Sequence, residues 1–182
     1  MRAAAEAGDE QAQCYIGVCY QNGQGVKQDF QEAIKWFRRA ADQNDPVAQC
    51  YLGVSYITGA GVPQEYTEAA SWLREAAEQG DPAAQFNLGV FFESGQVVEQ
   101  NYREAAKWYL AAAEQELAPA QCNLGLCYQT GRGVEKNSAE AVKWFLRAAR
   151  QGDKTAQHNL GLHYSNMEAE EAAAAANKPA SH

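Results

Sequence analysis

The dipeptide Ala-Gln recurs five times at one interval: Ala12-Gln13, Ala48-Gln49, Ala84-Gln85, Ala120-Gln121 and Ala156-Gln157 stand 36 residues apart. Gly17, Gly53, Gly89, Gly125 and Gly161 keep the same step. So do Trp36, Trp72, Trp108 and Trp144, which are all the tryptophans of the chain. An aromatic follows each of those glycines by three positions: Tyr20, Tyr56, Phe92, Tyr128 and Tyr164. Unrelated residue types that share one period define a tandem array. Each unit of such an array must bury its apolar face against its neighbours.

Each unit reads as two helices. Ala48, Leu52 and Tyr56 are spaced by four and share one helical face. Asp45 is placed to cap that helix and Pro46 to be its first residue. The pair returns as Asp81-Pro82, while Asp9 and Asp153 keep the cap alone. Gly53 sits beside the apolar face at a helix-propensity cost of about 1 kcal/mol, which implies that a neighbouring helix approaches closely there. A Gly-rich connection follows in each unit: NGQGV, TGAGV, SGQVV and TGRGV. Gly59 and Gly61 point to backbone at positive φ, and Val97 predicts a different conformation for the third loop. The second helix carries Ala33, Trp36, Phe37, Ala40 and Ala41 at i, i+3, i+4, i+7 and i+8, an amphipathic stripe. Its tryptophan is expected to fill the space between helices. No strand-like alternation interrupts the pattern. The expected fold is all-α, a solenoid of antiparallel helix pairs.

The units are expected at 9–44, 45–80, 81–116 and 117–152, with a partial fifth at 153–166. Arg2, Ala4, Ala5 and Asp9 stand 36 residues before Arg38, Ala40, Ala41 and Asp45. Residues 1–8 are therefore read as the end of a truncated preceding repeat, either part of a longer array or a cap. Residues 167–182 lose the glycine loop and are read as a capping helix with a frayed tail.

The string AQxxLGxxYxxGxGV, followed by EAxxW and AA, resembles the Sel-1-like repeat family. AQCYLGVSYITGAGVPQEYTEAASWLREAA and AQCNLGLCYQTGRGVEKNSAEAVKWFLRAA carry it in full, and the resemblance runs from residue 1 to about residue 166. The 36-residue period and the GxGV loop separate the chain from tetratricopeptide repeats. The resemblance implies a right-handed superhelix and a role as an adaptor in protein complexes and signalling.

Charge narrows the choice of partner. Fifteen Lys and Arg against 23 Asp and Glu give a net charge of −8, without a basic cluster. That argues against a nucleic-acid partner, since phosphate binding rests on Lys and Arg. No apolar run approaches the roughly 20 residues that span a bilayer, so no membrane partner is expected. Cys14, Cys19, Cys50, Cys122 and Cys127 are odd in number and read as free, buried residues in a reducing cytoplasm.

No P-loop, GxSxG, HExxH or calcium-loop motif is present. His158 and His163 lie about 140° apart on one helix, a poor metal pair. The sequence nominates no metal, no cofactor and no catalytic residue, and an enzyme is not expected. The cysteine-rich branch of the resembled family is linked to β-lactam binding or hydrolysis. That branch carries a cysteine pair in every repeat, whereas here the third unit has none and the second has only Cys50. It remains as an alternative reading, followed by an engineered or excised array without its own partner.

The favoured reading is a monomeric, non-catalytic scaffold that presents a groove to a peptide or helix of another protein. If the Ala48, Leu52 and Tyr56 face points into its own helix pair, residue 50 points about 160° away and residue 57 about 180°. By analogy with tetratricopeptide arrays, those first-helix rows line the groove. They comprise Cys14, Cys50, Phe86, Cys122 and His158, together with Gln21, Ile57, Glu93 and Gln129. Tyr15, Tyr51, Asn87, Asn123 and Asn159 lie alongside. The regular row Val18, Val54, Val90, Leu126 and Leu162 is expected to pack between repeats. Phe86 is the expected aromatic anchor for a partner.

Overall fold

The computed structural model describes the backbone of residues 1–176 and the side chains of residues 1–167. Ten helices and no strand lie among the described residues. They are α1 (Arg2–Glu6), α2 (Glu10–Asn22), α3 (Phe30–Ala41), α4 (Pro46–Thr58), α5 (Tyr66–Glu78), α6 (Pro82–Ser94), α7 (Tyr102–Glu114), α8 (Ala118–Thr130), α9 (Ser138–Arg150) and α10 (Lys154–Ala176). The first helices of the units are α2, α4, α6 and α8, and the second helices are α3, α5, α7 and α9. Each second helix packs against the first helix of its own unit and that of the next, which makes the array an α-solenoid.

The helix ends follow the sequence signals. Asp9, Asp45 and Asp81 each accept a hydrogen bond from the backbone N–H three residues on, at 2.7 Å. Leu117 breaks that row and leaves α8 without a side-chain cap. The first helices end on Gly23, Gly59, Gly95 and Gly131, all left-handed. The second glycine of the loop has a separate task. A Cβ at Gly61 would overlap the carbonyl of Phe30, and one at Gly133 that of Tyr102, both at the start of the preceding unit's second helix. Gly61 and Gly133 hold φ of 79° and 74°, whereas Val97 is not in the positive-φ region. The third loop does take a different conformation.

The helical glycines seal each pair. A Cβ at Gly17, Gly53, Gly89 or Gly125 would lie 2.5, 2.5, 2.7 or 2.6 Å from the side chain of Phe37, Leu73, Tyr109 or Phe145. Those four partners are fully buried. The residue after the tryptophan, rather than the tryptophan itself, fills the centre of the pair. Trp36 and Trp144 are buried beneath Arg39 and Arg147, whereas Trp72 and Trp108 in the middle units are only half-buried.

Glutamines tie the two helices of each unit to one another and to the helix before them. Gln13, Gln49, Gln85 and Gln121 are buried. Each accepts a hydrogen bond from the glutamine 30 residues on: Gln43 at 2.8 Å, Gln79 at 2.7 Å, Gln115 at 2.9 Å and Gln151 at 2.9 Å. Gln13, Gln85 and Gln121 also donate back to the preceding second helix, at the carbonyls of Ala5, Ala77 and Ala113. A buried amide needs such partners, because leaving one unmade costs about 1–3 kcal/mol.

At the C-terminal end α10 is one continuous helix from Lys154 to Ala176. Residues 167–176 therefore extend the first helix of the fifth unit and do not form a separate capping helix. Without a glycine loop at this point, nothing in the sequence turns the chain back. The expected tail at 177–182 lies outside the described residues.

Candidate functional site

The first helices place the candidate rows, and burial divides them. Cys14, Cys50 and Cys122 are buried, which corrects the expectation that Cys50 and Cys122 line an open groove, while Cys14 borders a small cleft. Pointing away from its own pair, each thiol meets the start of the next unit and sits beside its capping aspartate: Asp45, Asp81 or Asp153. Burial, reinforced by those carboxylates, pushes the Cys14 and Cys122 thiols up to about 12 and raises Cys50 as well. Neutral, enclosed thiols of this kind are poor nucleophiles.

Phe86 occupies the same row in the third unit. It is half-buried, with its ring centroid 5.9 Å from that of Tyr109, and packs with Leu117 onto the Tyr109 and Leu124 cluster. The Cys–Asp pairing of the other units is thus replaced by Phe86 and Leu117. The expected anchor belongs at least partly to the contact between units. His158, with no further unit beyond it among the described residues, is exposed.

The adjacent row stays accessible. Tyr15 is exposed, while Tyr51, Asn87, Asn123 and Asn159 are half-buried. Tyr51 stacks on Phe37 with centroids 4.7 Å apart and the rings 4° from parallel. Asn87 is steadied by donating to the Ala83 carbonyl at 2.8 Å.

Gln21, Ile57, Glu93 and Gln129 are half-buried as well. Glu93 accepts a hydrogen bond from the Tyr109 hydroxyl at 2.6 Å and lies 3.9 Å from Arg132. Burial and that carboxylate raise the Tyr109 hydroxyl well above the usual phenol range. Gln129 borders a different space, a cavity of about 700 Å³ between α8, α9 and α10 that it shares with His163 and Lys136. The valine and leucine row packs partly against the core clusters between units, in line with the structural role expected for it.

A cleft of about 370 Å³ brings Cys14, Tyr15 and Tyr51 together with Gln11, Val18, Asp45 and Val47. Val47 and Gln11 are missing from the sequence-based set. Their row varies from unit to unit, and only the packing of α2 beside α4 reveals that both face the same opening. The buried glutamines are the other omission. The Ala-Gln period marks them, yet their partners stand 30 residues away. Among the described residues, no group of three or more His, Cys, Asp or Glu could hold a metal ion.

Helix pairs stacked in this way define an α-solenoid repeat protein. Segments 10–45, 46–81, 82–117 and 118–153 match the family model of the Sel1 repeat, and the chain belongs to the Sel1 repeat family. Those segments begin one residue later than the units read from the sequence.

Among solved structures, a Sel1 repeat protein from Oxalobacter formigenes is 42% identical, with 87% of this chain and 64% of that one covered and a TM-score of 0.81. The protective antigen c5321 of uropathogenic Escherichia coli, which displays an SLR fold, is 39% identical with a TM-score of 0.84. That match covers 91% of this chain and 35% of the antigen, so the chain spans under two thirds of both relatives. Helicobacter pylori cysteine rich protein B is 28% identical over 76% of this chain and 99% of that one, with a TM-score of 0.58. No curated protein sequence matches significantly. Sel1 repeats generally mediate protein interactions and are generally non-catalytic scaffolds. No described helix is long and apolar enough to cross a membrane.

Proposed function

We propose that the chain is a non-catalytic scaffold whose first-helix face receives a peptide or helix of another protein. One observation carries this reading. Tyr15, Tyr51, Asn87 and Asn123 occupy the same register on the four successive first helices; Tyr15 is exposed and the other three are partly so, while the opposite face of each helix is sealed. A row of amides and aromatics can offer hydrogen bonds and contact area to one extended ligand. The thiols do not favour the β-lactam alternative, since all five cysteines are free and buried.

The test compares two faces of the same array. A partner captured from native lysate should be lost on Tyr15→Glu or Asn123→Lys. It should be retained on Lys35→Glu or Lys107→Glu, which lie on exposed parts of second helices. Loss only with the second-helix variants would move the interaction to the other face.

A further inference from the structure

We propose that the cleft between α2 and α4 takes an apolar side chain from a partner segment that carries Lys or Arg beside it. This rests on the scaffold reading and adds the place and the chemistry of the ligand.

The cleft has the character of a side-chain pocket. Tyr15 is 48% and Val47 44% exposed, so two large apolar side chains stand in water at its mouth. Val18 and Tyr51 are half-buried within it. The Tyr51 ring is held by its stack on the fully buried Phe37, which makes that wall rigid before anything binds. A volume of about 370 Å³ is at the small end of ligand pockets. Residues that the fold requires persist through the array, as the helical glycines do. Cys14, Val18 and Asp45 of the cleft recur in the same way, but its other apolar residues do not: Tyr15 and Tyr51 give way to Asn87 and Asn123, and Val47 to Ala83 and Pro119. Apolar surface confined to one pair of units is not explained by the stacking of repeats.

Charge selects the occupant. None of α2, α4, α6 and α8 contains a Lys or Arg. The Asp45 carboxylate lines the cleft, and Asp9 and Glu10 stand at the start of α2. The whole chain carries −8. A basic segment finds counter-charges here, while an acidic one meets only like charge, a difference that governs both encounter and choice of partner.

Panning a random dodecapeptide display library against the whole chain tests the proposal. The enriched peptides, made synthetically, are then titrated by fluorescence anisotropy at two salt concentrations. Enriched sequences should combine an aromatic or long aliphatic residue with at least two Lys or Arg. Their affinity should fall at least tenfold with Tyr15→Ala or Val47→Ser, and several-fold between 50 and 300 mM salt. Both substituted residues are exposed, so thermal melts should remain unchanged, and a melt check excludes misfolding. Four results would overturn the proposal. Acidic consensus peptides would refute the charge argument. Peptides insensitive to both cleft variants but weakened by Asn123→Ala would refute the cleft while preserving the first-helix face. Peptides insensitive to all three variants would remove both readings. Self-association abolished by Tyr15→Ala would assign the cleft to a second copy of the chain instead.

Discussion

Gly89 of α6 lies so close to Tyr109 of α7 that a single added methyl would sit 2.7 Å from the phenol ring. The ring is fully buried and its hydroxyl is engaged by Glu93, so it has little room to move. Gly89→Ala should destabilise the array by up to about 2 kcal/mol, because overpacking of about 1–3 kcal/mol outweighs a helix-propensity gain of about 1. Gly161, one of the same row, has nothing within 4 Å. Gly161→Ala should therefore stabilise by up to about 1 kcal/mol. Urea melts of the two variants should move in opposite directions, and movement in the same direction would contradict the close-approach account.

The glutamine ladder predicts a coupling. Gln121 is fully buried, accepts from Gln151 at 2.9 Å and donates to the Ala113 carbonyl at 3.1 Å. Gln121→Leu should cost about 1–3 kcal/mol, since it strands buried polar groups. A double-mutant cycle with Gln151→Leu should return a coupling of about 0.5–1.5 kcal/mol. Additive effects would mean that the pair does not join the two helices of its unit.

Between α7 and α8 the backbone is strained. The residue just past the second helix is Gly8, Gly80 or Gly152 in three units and Asn44 in another, but Glu116 holds φ of 64° in the fourth position of the series. A left-handed conformation costs an ordinary residue about 1–2 kcal/mol. Glu116→Gly loses a hydrogen bond from Gln121 at 2.9 Å, and should still raise stability by up to about 1 kcal/mol. A lowered denaturation midpoint would show that the side-chain bond outweighs the strain.

The raised thiols set a pH limit. From an ordinary value of 9.0, burial and Asp45 or Asp153 push Cys14 and Cys122 up to about 12, and burial pushes Cys127 to about 11. The protonated thiol is the native form. Its contribution to stability is complete below pH 9 and is lost as pH rises towards 12. The urea midpoint should fall more gently across that interval in Cys14→Ala/Cys122→Ala than in the parent chain. Equal slopes would dissociate these thiols from alkaline unfolding. Thiol titration should find all five cysteines in denaturant and few in the native state.

Period and capping make the helices legible in the sequence alone. Asp45-Pro46 and Gly59 bracket α4 as the sequence indicates, because caps act through neighbours in the chain. The interior is less legible. Trp72 looked central because its position never varies, yet the buried contact with Gly53 is made by Leu73, in a row that runs Phe, Leu, Tyr, Phe. Close packing against a glycine tolerates several shapes, which hides the position from pattern reading. The candidate site shows the same limit. Helix geometry correctly turned Cys50 away from its own pair, but one helix carries no information about where the next unit lies. In the solenoid that side is occupied by Asp81 and its helix. Tyr15 and Tyr51 remained at the surface, and Val47 joined them only through the packing of two units.

The most direct test of the scaffold account is site-specific photo-crosslinking in native lysate. A benzophenone side chain introduced in place of Tyr15, Asn87 or Asn123 on the first helices should yield one common partner adduct. The same probe in place of Lys35, Ser71 or Lys107 on the second helices should yield none. Adducts confined to the second-helix positions would contradict the account and place the working surface on the other side of the array.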